Sequence, residues 1–236
     1  MYIDRMNANH HHLRSDLVRI AIRVMSERGL QAEFSAAVAQ QLASITGPGR
    51  DADASIRDLT GLLWCSIDND DSLDLDQLTV CELLGKGGVK MLVAIADVDA
   101  LVKKGTAIDE HALANTTSVY TSARIFPMLP ERLSTDLSSL NLGEERLALV
   151  TEMVFNADAT LANTTVYRAR VRNKAKLAYD AVSAWIEGEG ALPAAAASVP
   201  GMEAQLRSQD ALAQQLRARR HLEGSLEFET FQPRAV

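Results

Sequence analysis

Five aspartates, Asp68, Asp70, Asp71, Asp74 and Asp76, fall within nine residues of a 236-residue chain. They are threaded through Ile67, Leu73, Leu75, Leu78 and Val80 and do not form a polar tail. Two unit charges about 4 Å apart repel by about 4 kcal/mol at an effective dielectric of about 20, so several such pairs would cancel much of a domain's stability. A positive partner is required, and hard divalent cations with oxygen ligands, Mg2+ or Mn2+, supply one. In extended backbone Asp74 and Asp76 share a face while Leu73 and Leu75 take the other, with Asp68 across a short loop. That arrangement can bring three carboxylates to one or two cations and leave positions for phosphate oxygens and water. A calcium loop of the EF-hand type starting at Asp68 fails twice. Its sixth position is Leu73 where the turn needs glycine, and its twelfth is Thr79 where a bidentate glutamate is expected. A solvated acidic loop without metal remains the alternative.

A second constellation has the opposite sign. Arg168, Arg170, Arg172, Lys174 and Lys176 alternate with other residues. In extended conformation they form a row of cations about 6.8 Å apart, near the phosphate repeat of a single nucleic-acid strand. The competing reading is the exposed face of an antiparallel strand. Tyr120 and Tyr179 lie near polar sequence and are candidates for stacking on bases, although tyrosine is as often a core residue.

These groups must be positioned by an ordinary globular chain, since 47% hydrophobic and 23% charged content is enough for one sizeable core or a core with a small accessory module. The formal charge of -7 argues against nucleic-acid binding through net charge, though not against a local basic track. Cys65 and Cys81 lack metal-ligand spacing and point to a reduced, cytoplasmic protein. The longest uninterrupted apolar run, Met91 to Ala96, is far short of the roughly 20 residues a membrane-spanning helix needs, and nothing resembles a signal peptide. A soluble monomer with no membrane partner is expected.

Apolar spacing through Leu17, Ile20, Ala21, Val24 and Met25, closed by Gly29, predicts a helix over 15–28, and a second over 33–45. The pair makes a helical hairpin or helix-turn-helix, more readily a packing module than a nucleic-acid reader. His10, His11 and His12 precede it in what reads as a flexible lead, because consecutive histidines do not converge on one face. Gly47, Pro48 and Gly49 mark a linker, which divides the chain into a helical module, 1–50, and a second domain, 51–236. Strands are expected over 62–67, 88–98, 148–155 and 164–171, and helices over 109–115, 176–187 and 202–222. The stretch 188–201 reads as an excursion. Residues 225–231 read as a strand with nothing to follow it, which suggests that the chain continues beyond Val236.

Taken together, RDLTGLLWCSIDNDDSLDLDQL from Arg57, VAIADV from Val93, SVYTSARIFPMLPERLS from Ser118 and KAKLAYDAVSAW from Lys174 make this sequence similar to the catalytic (RNB) domain of the ribonuclease II and ribonuclease R exoribonucleases. Order and spacing agree from about Arg57 to Trp185, and the later helix also resembles the segment that follows in those enzymes.

The resemblance implies an α+β fold with a mixed, largely antiparallel sheet and flanking helices, incomplete at its C-terminus. It implies Mg2+-dependent, hydrolytic, processive degradation of single-stranded RNA from the 3′ end to nucleoside 5′-monophosphates. Asp68, Asp74 and Asp76 match three of the family's four motif aspartates, and the fourth position is Gln77. An amide oxygen can ligate a hard cation but brings no charge, so the metal would be held more weakly. A catalytically weakened or inactive RNA-binding relative is therefore the alternative. Asp71 matches a further acidic position, Tyr120 falls where the family has an aromatic against the terminal bases, and Tyr179 falls on the tyrosine of the KAKLAYD-like motif. The family's site also takes an arginine and a glutamate from a later half of the domain that these residues do not include. Its accessory oligonucleotide-binding barrels do not fit in fifty residues, so the helical module is expected to cover or guide RNA in their place.

Overall fold

The structure is a computed structural model that describes residues 3–51 and 53–226, with side chains from residue 14 onward. In chain order the elements are α1 (Ile3–Glu27), α2 (Ala36–Ser44), β1 (Arg57–Asp58), β2 (Cys65–Asp68), β3 (Gln77–Leu83), β4 (Val89–Ala96), α3 (Ala107–Asn115), β5 (Val119–Tyr120), β6 (Ile125–Phe126), β7 (Glu145–Phe155), β8 (Leu161–Arg172), β9 (Ala175–Ala178), α4 (Tyr179–Ile186), α5 (Ala194–Ala197) and α6 (Met202–Leu222). They form two compact units. One holds the chain up to Gly47 together with Val102–Leu133, and the other holds Pro48–Leu101 and the chain from Ser134.

The first unit recruits a segment distant in sequence because polar side chains clasp it. Asn115 Oδ1 accepts from the Gln31 amide (2.7 Å), and its Nδ2 donates to the Gln31 carbonyl (2.9 Å). Gln41 Oε1 takes the Ile108 amide at 2.9 Å, one of the donors an α-helix leaves unpaired in its first turn. Two bonds of 2.5 and 3.0 Å tie Arg124 to Glu33. Within this unit α1 stops where Gly29 adopts φ 76°, and Ser35 caps α2 by accepting from the Val38 amide. β5 and β6 pair as a small antiparallel hairpin.

The second unit is a seven-stranded sheet in the order β1-β8-β7-β4-β3-β2-β9. Four of its pairings are antiparallel, and two, β1 with β8 and β2 with β9, are parallel. Only Asn173 and Lys174 separate β8 from β9. Three peptide steps reach about 10 Å. In a flat sheet with strands about 4.8 Å apart, β8 and β9 would lie about 24 Å from each other. The sheet must therefore curl until its two ends meet. Hydrogen bonds from the Leu59 amide to the Arg170 carbonyl (2.9 Å) and from the Lys174 amide to the Trp64 carbonyl (2.8 Å) extend the two parallel pairings, β1 with β8 and β2 with β9, at these ends.

Trp64, Leu78, Val80, Leu92, Val150 and Val171 fill one cluster of the core, and Cys65, Leu177, Trp185, Met202 and Leu206 form another with α4, α5 and α6. β2 meets β3 at one register position, Cys65 opposite Thr79. Beyond it the Cys81 amide turns to Gln205 Oε1 on α6 (3.1 Å), while Gln205 Nε2 donates to the Leu63 carbonyl (3.1 Å). Both cysteines are free and buried, and burial pushes the Cys81 thiol up to about 11.

This is the expected α+β class with a largely antiparallel sheet, and the sequence also anticipated α6, β4, β7 and β8. Differences have local causes. The helix predicted from 176 begins at Tyr179, because Ala175–Ala178 is captured as a parallel strand by β2. β3 is not among the expected strands, because Thr79 interrupts its apolar run and the run directly follows the acidic loop. The excursion over 188–201 contains the short helix α5. α1 begins at Ile3, so His10–His12 lie within a helix where the sequence reads as a flexible lead; a metal role for their side chains lies outside the described residues. The strand expected over 225–231 lies almost wholly outside them too. Among the described residues no helix is long and apolar enough to cross a membrane.

Candidate functional site

The acidic segment leaves the end of β2 at Asp68, turns through residues 69–72, and runs extended through Asp74 and Asp76 into β3. Nearly every step of its backbone is held. The Ser72 carbonyl accepts from Lys176 Nζ at 2.6 Å. The Leu75 amide donates to Ser139 Oγ (3.0 Å), and the Leu75 carbonyl accepts from the Leu140 amide (2.7 Å). The Asp76 carbonyl accepts from the Ala96 amide (2.9 Å), which extends the β3–β4 ladder one step past Gln77. Leu75, buried between the two aspartates, anchors this strip in the protein. Carboxylates mounted on a backbone fixed this way cost little ordering when they are used.

The Asp76 carboxyl is held above its ordinary range, first by burial and then by the charges of Asp68 and Asp74. Asp76 as a whole residue remains exposed. Asp68 Oδ1 accepts from the Asn69 amide (2.7 Å) and from Ser72 Oγ (2.9 Å). Asp74 is exposed. Among the described residues no three acidic, histidine or cysteine side chains are gathered closely enough to hold a metal ion. The expected convergence of Asp68, Asp74 and Asp76 is therefore electrostatic and not a closed ligand set, because Asp68 is satisfied locally and Asp74 by solvent. The donor set itself fits a hard divalent cation: it is all oxygen, and its mutual repulsion is the cost such an ion removes.

Gln77 does not join the carboxylates. Adjacent residues of an extended chain face opposite sides, and Gln77 lines a cavity of about 320 Å3 with Cys65, Ile67, Thr79, Tyr179 and Gln209. Tyr179, the first residue of α4, is 47% exposed there. The cavity thus brings together two candidates that lie far apart in sequence, Gln77 and Tyr179. Tyr120, 69% exposed on β5, belongs to the other compact unit.

The cationic row is divided by the curl of the sheet. Arg168, Arg170 and Arg172 lie on β8, Lys174 lies in the connection, and Lys176 lies on β9. The arginines are engaged: Arg168 with Asp97 (2.7 Å) and Asp51 (2.5 Å), Arg170 with Asp58 (3.1 Å), and Arg172 with Glu145. Sequence reasoning missed these acids because each is distant along the chain. It also missed Ser139 and the buried Asn173, whose Nδ2 donates to Ser66 Oγ and the Leu140 carbonyl (both 3.1 Å). Their one signal was polar residues, Ser138, Ser139 and Asn141, flanking Leu140 in a core segment.

The RNB domain model matches residues 56–236. Ribonuclease R of Vibrio cholerae is 35% identical over 206 residues, covering 86% of this chain and 25% of that protein. Exoribonuclease 2 of Salmonella heidelberg is 38% identical over 135 residues, covering 57% and 21%. RNase R of Mycoplasma genitalium, solved in complex with double-stranded RNA and with ribose methylated single-stranded RNA, superposes in both structures with a TM-score of 0.78 at 27% identity. The superposition covers 86% of this chain and 36% and 31% of those chains. The chain spans a quarter or less of the length of these curated relatives. A family model matched over most of the sequence, with a sheet that superposes on RNase R, makes this chain a member of the RNB domain family.

Proposed function

We propose that the chain carries the acidic part of the active site of a Mg2+-dependent 3′ to 5′ exoribonuclease that hydrolyses single-stranded RNA to nucleoside 5′-monophosphates. The observation that carries this reading is the all-oxygen set of Asp68, Asp74 and Asp76 beside a strip of backbone fixed by Ser139, Leu140 and Ala96, where the Asp76 carboxyl is raised first by burial and then by the charges of Asp68 and Asp74. Neighbouring carboxylates that disfavour one another's charge are what a site tuned for a cation contains. Asp68, Asp74 and Asp76 supply the oxygens that would hold the ion. When bound, Mg2+ or Mn2+ contributes Lewis acidity and charge neutralisation for in-line hydrolysis of a phosphodiester. Tyr179 offers an exposed ring at the cavity beside β3, and Tyr120 offers another on β5, each suited to stacking on a base. Lys174, in the connection between β8 and β9, with Arg170 and Arg172 of β8, is the candidate source of phosphate contacts. The RNA complexes of the Mycoplasma genitalium relative support RNA as substrate.

Incubating the full-length protein, with the later half of the RNB domain present, with 5′-labelled single-stranded RNA and Mg2+ tests this. Shortening from the 3′ end with release of mononucleotides is expected; no release at any Mg2+ or Mn2+ concentration would remove the enzymatic reading. One observation favours a second reading, an RNA-binding relative with weakened catalysis: Gln77 adds no charge to the acidic segment and faces the cavity. Gln77→Asp distinguishes the two. Turnover that appears only in that variant, with RNA affinity unchanged, identifies the weakened form.

A further inference from the structure

Lys176 was grouped by spacing with cations expected to meet RNA phosphates, yet its ammonium is directed into the acidic loop. On β9 it stands opposite Ser66 of β2, two residues before Asp68. Its Nζ donates to the Ser72 carbonyl at 2.6 Å, and the Ser72 hydroxyl donates to Asp68 Oδ1 at 2.9 Å. A continuous link thus runs from the sheet through a lysine to the first carboxylate. Fixing a long, rotamer-rich lysine costs side-chain entropy, so an ordered ammonium needs a return. Five aspartates within nine residues provide it, because the ammonium lowers the repulsion that would open the loop.

We infer that Lys176 is a positioning residue for the carboxylate loop: it holds Ser72, and through Ser72 the Asp68 carboxylate, in the shape that receives a divalent cation. It acts on the ion through the loop and not on RNA. This inference rests on the proposed reading of the acidic segment as a cation site.

The test compares wild type with Lys176→Met, Lys176→Arg and Ser72→Ala in the intact chain, without RNA. Mn2+ binding is followed by electron paramagnetic resonance, and hydrogen exchange is measured at the amides of residues 69–76 in EDTA. Lys176→Met is expected to weaken Mn2+ roughly tenfold, the scale of one charge-assisted hydrogen bond, and to speed exchange in the loop. Ser72→Ala, which leaves β9 untouched, should move both readouts in the same direction, so the result does not depend on Lys176→Met folding well. Lys176→Arg should restore loop protection. Unchanged loop exchange and Mn2+ affinity in Lys176→Met and Ser72→Ala would overturn the inference, most directly if Lys176→Met instead lowered the salt dependence of RNA binding by about 0.7, the slope of one lost contact to a single strand. If wild type binds no Mn2+ at all, the cation-site reading fails, and faster exchange in Lys176→Met would then report a loop clamp of another purpose.

Discussion

Ser139 Oγ accepts a 3.0 Å hydrogen bond from the Leu75 amide, joining a buried hydroxyl to the residue between Asp74 and Asp76. The same oxygen donates to Asn141 Oδ1 at 2.9 Å. Ser139→Ala leaves a buried N–H without a partner, and the expected loss is about 1–3 kcal/mol of stability, read from urea unfolding. A loss too small to resolve would mean that the Leu140 amide bond alone fixes the strip. Divalent-cation affinity should fall in parallel, since both flanking carboxylates lose their fixed backbone.

Asp76 predicts a coupling between metal and stability. Its folded-state carboxyl sits above the ordinary value of 3.8, so the ionised form is the penalised one. The sign follows: its favourable contribution is complete below the unfolded value and is lost as pH rises through the raised, folded one. At neutral pH a cation offsets that loss. Mg2+ or Mn2+ should therefore raise the thermal midpoint, by the equivalent of about 2.7 kcal/mol at a hundred times Kd. Asp76→Asn should be more stable than wild type in EDTA and should gain less from metal. Equal metal-induced shifts in both proteins would contradict the assignment.

Arg168 is expected to matter for folding more than for RNA. It lies between Asp97, whose side chain is 9% exposed, and Asp51. Arg168→Ala removes the partner of Asp97 Oδ2, leaving only the Ala100 amide on Oδ1, and should cost about 1.5–3 kcal/mol, the range for hydrogen bonds to charged groups. The salt dependence of RNA binding should change by less than about 0.7 in slope, the value for one lost contact to a single strand. A full change in slope with stability intact would return Arg168 to the RNA-contacting set.

His111 gives the first unit a pH dependence. Nδ1 lies 2.9 Å from Gln31 Oε1 and Nε2 lies 3.1 Å from Asn115 Nδ2, an assignment of partners that fits a neutral ring carrying its proton on Nδ1. Burial holds its pKa below the ordinary 6.5. A depressed value means that the stability it confers is present above 6.5 and is lost as pH falls toward the folded value, at no more than about 1.4 kcal/mol per pH unit. Unfolding midpoints between pH 7.5 and 5 should drop in wild type and flatten in His111→Gln. Parallel profiles would exclude the histidine as the cause.

Much of this protein is legible without coordinates, wherever the information is local. Period-two and helical spacings are short-range consequences of backbone geometry, and they located β4, β7, β8 and α6. The class of fold and the family were readable from motifs that keep their order along the chain. The identity of the acidic residues was readable too, because charge density needs no tertiary structure to be noticed.

Tertiary structure decided what those residues face. Lys176 and Arg168 look equivalent along one alternating row, yet two residues at Asn173–Lys174 carry the chain from β8 to β9 across the closure of the sheet. One cation then meets the Asp68 loop and the other meets Asp97 and Asp51. Gln77 follows Asp76 directly, and the alternation of extended backbone turns it toward Tyr179 and away from its neighbour. Ser139 could not be paired with Leu75 in advance, because a hydrogen bond between distant residues depends on how the sheet curls, which is set by the packing of the whole core and not by either segment.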